Sequence, residues 1–208
     1  MSYKINIHAH SIFSDGKNTP FIMALKAKEL GFTALVITDH YYGPEHPEFM
    51  SENSMRLLKK SCKEARKIIP VIIGLEAPFM GEEVLVFGGA AISDILENGK
   101  PTMDKLLQLK KDTGCAVVLC HPGEDFELTI PAIDGFERFN HGMDMFGSGR
   151  RSMGSLENKP SWCNSDAHMA DHLEICYNIV DTKIKNESDL IRYIKKGKQP
   201  KFCIEGGR

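Results

Sequence analysis

Apolar and polar positions along the chain follow two periods. Lys4–Ile7, Ala34–Thr38, Val71–Leu75, Val84–Phe87 and Ala116–Cys120 are short runs rich in Val, Ile, Leu or Ala, which predicts strands. Between them the spacing turns helical. Thr19-Pro20 supplies an N-cap and a first-turn proline for a helix carrying Phe21, Ile22, Leu25 and Leu30, stopped by Gly31. Ser51 opens a second helix, whose Met55, Leu58, Cys62, Ala65 and Ile69 recur at alternating intervals of three and four until Pro70 ends it. A third helix runs from Thr102 to Asp112 before Gly114. Weaker strands are expected at Gly135–Phe139, Ser161–Asn164, Asn178–Val180 and Lys201–Ile204, with a helix over Glu187–Lys196. Near-continuous apolar strands separated by helices predict a parallel sheet covered on both faces, hence an α/β fold.

The 208 residues suit one domain spanning 1–208, too short for the ~250 residues of a full eightfold barrel. A smaller or distorted β/α barrel is the expectation. With 26 basic and 28 acidic residues, the formal charge is −2. That excludes a globally basic nucleic-acid binder, so no long nucleic acid is expected as a partner. No secretory segment or membrane-length apolar run is present, and the six cysteines form no CxxC pair. A reduced, cytoplasmic setting is expected, with no membrane partner. The segment 141–159 has no clean periodicity and holds four glycines, three methionines (Met143, Met145, Met153) and the pair Arg150-Arg151.

In barrels and open α/β sheets, functional groups gather beyond the carboxyl ends of the strands. Those positions carry His8-Ala9-His10 and Asp15, Thr38-Asp39-His40, Gly74-Leu75-Glu76, His121-Pro122-Gly123, Glu137 with Asn140, and Ser165-Asp166-Ala167-His168. Residues i and i+2 of a strand point to one side, so His8 and His10 can present two imidazoles to one ion, as Asp166 and His168 can present a mixed pair. Imidazole and carboxylate donors suit zinc, manganese or iron, and a carboxylate such as Glu76 can bridge two ions. Each unit alone is weak: an isolated HxH is commonly structural, and Ser165-Asp166 could be a helix cap. Taken jointly, the strand-end pattern favours a multi-metal site.

The ordered set His8-Ala9-His10-Ser11, Asp15-Gly16, Thr38-Asp39-His40, Gly74-Leu75-Glu76, His121-Pro122-Gly123 and Ser165-Asp166-Ala167-His168 resembles the PHP (polymerase and histidinol phosphatase) metal-dependent phosphoesterases. The resemblance covers nearly the whole chain. It implies a distorted seven-stranded β/α barrel with two or three divalent ions at its mouth. His8, His10, Glu76 and Asp166 would hold one ion; Asp15, His40 and His168 would hold a second. His121 would share a third with Glu76, and a metal-bound hydroxide would attack phosphorus. Asp39 would orient ligands from behind. One departure stands out: many members carry a further histidine about where this chain has Leu85, which puts the third ion in question. Glu137 either substitutes as a ligand or braces His121.

Three functions compete at this point. The first is hydrolysis of a phosphate mono- or diester in a phosphorylated small molecule or short nucleotide, with Arg150, Arg151 and His141 as candidate substrate contacts. The second is a metal-binding domain without catalysis, in a regulatory or interaction role. The third is amidohydrolase-type carbon–nitrogen hydrolysis, which leaves Asp39-His40 and the Asp166/His168 pair unexplained.

Overall fold

The protein is described from a computed structural model, over residues 1–43, 46, 50–122, 131–141 and 159–204. Its strands are β1 (Tyr3–Asn6), β2 (Ala34–Ile37), β3 (Val71–Ile73), β4 (Leu75–Phe79), β5 (Glu82–Phe87), β6 (Ala116–Cys120), β7 (Gly135–Asn140), β8 (Ser161–Asn164), β9 (Cys176–Val180) and β10 (Lys201–Ile204). Its helices are α1 (Pro20–Glu29), α2 (Glu52–Ala65), α3 (Gly89–Asn98), α4 (Met103–Thr113) and α5 (Glu187–Lys195), with a 3₁₀ turn at Ala170–Glu174.

The architecture is mixed α/β, and two features depart from the expected barrel. The strands form two five-stranded sheets, ordered β10-β9-β1-β2-β3 and β4-β5-β6-β7-β8, and no closed seven-stranded barrel is present among the described residues. The sheets are also not all parallel. β1, β2 and β3 run together, but β9 is antiparallel to β1, and β5 is antiparallel to both β4 and β6. The reversal of β5 comes from the two-residue turn Met80-Gly81. Both residues have positive φ, 53° and 86°, the backbone that a tight hairpin requires.

Between β3 and β4 the chain passes through Gly74, where an added Cβ would lie 2.9 Å from both Phe87 and Thr38. On the far side the sheets are joined by side-chain amides. Asn178 of β9 accepts from the Cys163 N–H at 2.9 Å and donates to the Cys163 carbonyl at 2.8 Å. Gln199 makes the same paired contact with the main chain of Ser161, at 2.8 Å each way. At the rim, the isolated bridges Ala9–Ala167 and His40–Glu76 draw the sheets together.

Alternation along the strands sorts the core into two clusters. Ile5, Ile7, Val36, Leu85, Phe87, Val118 and Trp162 come from both sheets and pack together, covered by Leu190, Tyr193 and Ile194 of α5. Leu35, Ile37, Val84, Val86, Val117 and Leu119 face the other way, against α1–α4. The capping signals act as read: Thr19, Ser51 and Thr102 accept from the N–H groups of Ile22, Ser54 and Lys105, and Gly114 closes α4 in the left-handed region. The apolar face of α1 differs from expectation. Phe21, Ile22 and Leu25 are exposed, while Met23, Ala24 and Ala27 are buried. Helix α3 is not among the helices expected above, because its start, Gly88-Gly89, lacks a side-chain cap.

Candidate metal centre

The chain turns at the ends of β1, β2 and β4 deliver most of the site. His8 and His10 leave β1 fully buried, and the His10 N–H bonds the Ala167 carbonyl at 2.9 Å, which brings Asp166 and His168 alongside. The Tyr41 N–H bonds the Glu76 carbonyl at 2.7 Å and so sets His40 beside Glu76. Asp166 and His121 sit at φ of 48° and 23°, an uncommon backbone that aspartate and histidine adopt more readily than most residues.

Among the described residues two four-residue groups of potential ligand atoms result, each gathered within 4.8 Å: His8, His10, Glu76 and Asp166, and His10, Asp15, His40 and His168; three smaller groups, His8/Cys120/Glu137, Glu76/Cys120/His121 and His40/Glu76/Glu83, border them. In the first, His8 Nε2 lies 3.0 Å from Glu76 Oε2 and 3.3 Å from Asp166 Oδ1. His10 Nε2 lies 3.2 Å and 2.9 Å from the same two oxygens. In the second, Asp15 Oδ2 is 3.1 Å from His168 Nε2 and 3.7 Å from His40 Nε2. His10 therefore belongs to both.

The residues behind these groups fix their orientation. Glu137 Oε1 accepts from His8 Nδ1 at 2.7 Å, leaving Nε2 for the cluster. Its Oε2 accepts from the His121 N–H at 3.1 Å and from Asn140 Nδ2 at 2.9 Å, and Asn164 Nδ2 donates to Oε1 at 2.7 Å. Glu137 thus braces the His8 ring and the His121 main chain. His168 Nδ1 donates to the Asp166 carbonyl at 2.9 Å, again freeing Nε2. Asp39 accepts from Ser11 N–H, Ser11 Oγ and Ser14 Oγ at 2.5, 2.7 and 2.9 Å, and so holds the turn that carries Asp15. Within that turn Gly16 lies against the His10 backbone, where a Cβ would come within 2.6 Å of the carbonyl.

Charge on the buried imidazoles and carboxylates is mutually sustained. Burial opposes charge on His10, but Asp166 and Glu76 outweigh it and hold its pKa at about 10. Burial likewise opposes charge on His8, yet Glu76, Glu137 and Asp166 raise its pKa well above the usual value. Burial would raise the Glu76 and Asp166 carboxyls, but the surrounding imidazoles hold both below their normal range. His40 is the exception: burial, reinforced by His10, pushes its pKa down to about 4. His10 Nδ1, His40 Nδ1, Glu76 Oε2 and Asp166 Oδ1 are buried and make no hydrogen bond among the described residues. Buried imidazole and carboxylate atoms without hydrogen bonds, gathered in this way, fit divalent cations.

A profile of the PHP domain matches residues 6–140, and one of the PHP-associated region matches residues 157–199. The chain belongs to the PHP domain family. An uncharacterised protein of Methanocaldococcus jannaschii is 24% identical over 135 residues, which cover 58% of each chain. Among solved structures, a two-domain protein of Bacteroides vulgatus containing a predicted PHP-like metal-dependent phosphoesterase aligns with 98% of this chain, at 18% identity and a TM-score of 0.66. A lesion-specific endonuclease of Pyrococcus furiosus aligns with 97%, at 14% identity and a TM-score of 0.65. This PHP domain spans only 65% and 58% of those two chains. At such identities the structures show a shared fold.

Two residues of this PHP domain at the mouth were not singled out from sequence. Glu83, at the start of β5, places Oε1 3.7 Å from His40 Nδ1 and Oε2 3.4 Å from His121 Nε2. Burial, with the Glu76 carboxylate, raises its pKa to about 7. Tyr42 stacks on the His40 ring at 4.6 Å between centroids. Leu85 is fully buried in the cluster between the sheets. His121 Nε2 lies 3.3 Å from Glu76 Oε1. His141 stands against His172, ring to ring at 5.7 Å, and is in neither ligand group. Arg150, Arg151, Gly123 and the three methionines of segment 141–159 lie outside the described residues.

Proposed function

We propose that this PHP domain hydrolyses a phosphate mono- or diester in a phosphorylated small molecule or short nucleotide. The observation that carries the reading is the pair of buried ligand groups joined at His10, with unpartnered atoms on His10, His40, Glu76 and Asp166. His8, His10, Glu76 and Asp166 would hold one zinc, manganese or iron ion; Asp15, His40 and His168, with His10, would hold another. When bound, such ions supply Lewis acidity toward a phosphoryl oxygen and make water acidic enough to act as nucleophile near pH ~7.

The chain's own residues support that use. His40, held neutral down to a pKa of about 4, offers a lone pair at neutral pH. Glu76 and Asp166 stay ionised. Burial, and then the Glu76 carboxylate, push the nearby Cys120 thiol well above its usual pKa. A cavity of about 690 Å³ beside His121 and Glu83, lined also by Pro78, Phe79 and Lys100, has the size of a small-molecule site. A groove of about 740 Å³ lined by residues of α2, β3 and α3 holds none of the ligand residues. Arg150 and Arg151 remain proposed phosphate contacts. A cytoplasmic setting belongs to the same reading and is supported by six cysteines that form no disulfide with one another; no helix among the described residues is long and apolar enough to cross a membrane.

The test is turnover of phosphomonoester, phosphodiester and amide panels by protein loaded with Mn²⁺, Zn²⁺ or Fe²⁺. Phosphoester hydrolysis lost in His10→Ala is expected. Inactivity on every phosphoester beside an active control overturns the proposal, and amide turnover alone would establish the carbon–nitrogen alternative.

A further inference from the structure

We propose that Tyr42 is a positioning residue of the second ion site: its ring, packed against the imidazole of His40, fixes the plane in which His40 meets the ion. The inference rests on the two-ion reading above and adds to it a residue that holds no ion itself.

The imidazoles of the two ligand groups are oriented in two different ways. His8 and His168 are fixed by hydrogen bonds through Nδ1, to Glu137 Oε1 at 2.7 Å and to the Asp166 carbonyl at 2.9 Å. His10 and His40 lack that device, because Nδ1 of each is buried without a hydrogen bond. The torsion that turns a histidine ring has broad minima, so such a ring needs another restraint to present one nitrogen. Here the restraint is ring against ring. His10 stacks on His168, with centroids 4.3 Å apart and planes 24° apart, and on His40 at 4.2 Å and 20°. His40 in turn stacks on Tyr42 at 4.6 Å and 22°.

Tyr42 differs from the other rings in this group. His10 and His168 are candidate ligands, and each answers to an ion of its own; Tyr42 is in no ligand group. Its place follows from the local chain. The isolated bridge between His40 and Glu76 continues the extended path of β2, and Tyr41 turns into the core, 1% exposed. In extended chain, residues i and i+2 share a side, so Tyr42 emerges beside His40. Its ring is also packed against His46 at 4.5 Å, so it is engaged within the protein and serves as a wall for His40. A ring held in plane before the ion arrives loses less freedom on binding, which raises affinity.

Metal titration reads the role independently of catalysis. Full-length protein, Tyr42→Phe and Tyr42→Leu are stripped with chelator and titrated with Zn²⁺ by calorimetry and with Co²⁺ by visible absorption. The step that Asp15→Ala abolishes identifies the second ion. In Tyr42→Leu, which keeps bulk without a ring face, that step is expected to weaken ~10-fold with an altered cobalt spectrum, while the other step is kept. Tyr42→Phe is expected to titrate as the unaltered protein does. Full affinity in Tyr42→Leu overturns the inference and leaves the metal-binding reading intact. Equal weakening of both steps overturns it in favour of general support of the fold, and a Tyr42→Phe as weak as Tyr42→Leu overturns it in favour of the hydroxyl. No ion bound by the unaltered protein overturns both readings. Tyr42→Met undergoes the same titrations and decides if Tyr42→Leu does not fold.

Discussion

Glu137 Oε1 accepts from His8 Nδ1 at 2.7 Å, and this bond decides which nitrogen His8 turns toward the cluster. Glu137 is itself held by Asn140 and Asn164, so the brace is rigid. Glu137→Gln keeps the shape but removes the charge that makes His8 a strong donor. Metal affinity is expected to fall ~10–100-fold, measured by competition with a chromophoric chelator. Unchanged affinity would show that Glu137 serves only the His121 main chain.

Asp39 would act on the second of the two proposed ions. It touches no ligand atom, yet it ties Ser11 and Ser14 and so places the turn bearing Asp15. Asp39→Ala is expected to weaken one ion by ~10-fold or more while the ion at His8, Glu76 and Asp166 stays. Calorimetric titration would show one binding step weakened and another preserved; uniform weakening would contradict the assignment.

The metal-free protein has a distinctive pH response. Burial opposes charge on His121 as on His10, but carboxylates raise their pKa values to about 9 and about 10, against 6.5 when unfolded. The stability they contribute is fully present below the unfolded value and is lost as pH rises through the folded ones. Thermal unfolding in excess chelator is expected to shift to lower temperature between pH 7 and 10. Ion binding at pH 8 must displace these protons, so the apparent binding enthalpy should depend on the buffer's ionisation enthalpy. A flat pH response in chelator would count against protonated imidazoles as the resident counter-charges.

The amide joint between the sheets carries its own cost. Asn178→Ala strips the Cys163 N–H and carbonyl of their partners in a fully buried position. Leaving buried groups unsatisfied costs ~1–3 kcal/mol, read as a lower urea midpoint. A loss below ~0.5 kcal/mol would mean that water replaces the amide.

What was legible in the sequence follows from geometry. His8, His10, His40, Glu76, Asp166 and His168 lie at strand ends, and the rim bridges Ala9–Ala167 and His40–Glu76 gather them, so strand position alone brought them together on paper. Glu83 stayed hidden because it begins a reversed strand, and alternation of Val84 and Val86 against Leu85 and Phe87 is the same in either direction. The true inner face of α1 was masked by size. Met23, Ala24 and Ala27 give a weaker apolar signal than Phe21, Ile22 and Leu25, which face outward. Asn178 reads correctly as part of a strand, but nothing in the pattern shows that its amide bonds the Cys163 main chain as a neighbouring strand would.

The Met80-Gly81 hairpin also has an evolutionary reading. Parallel strands reach the mouth only with their exits, after a helix and its loop have absorbed any change in length. β5 arrives with its entrance, two residues from a tight bend. A one-residue slip of β5 against β4 would turn Glu83 and Leu85 together to the opposite face, and only a two-residue slip would exchange which of them pairs with Glu76. Which β5 side chain stands beside Glu76 is therefore tied to the register that the hairpin sets.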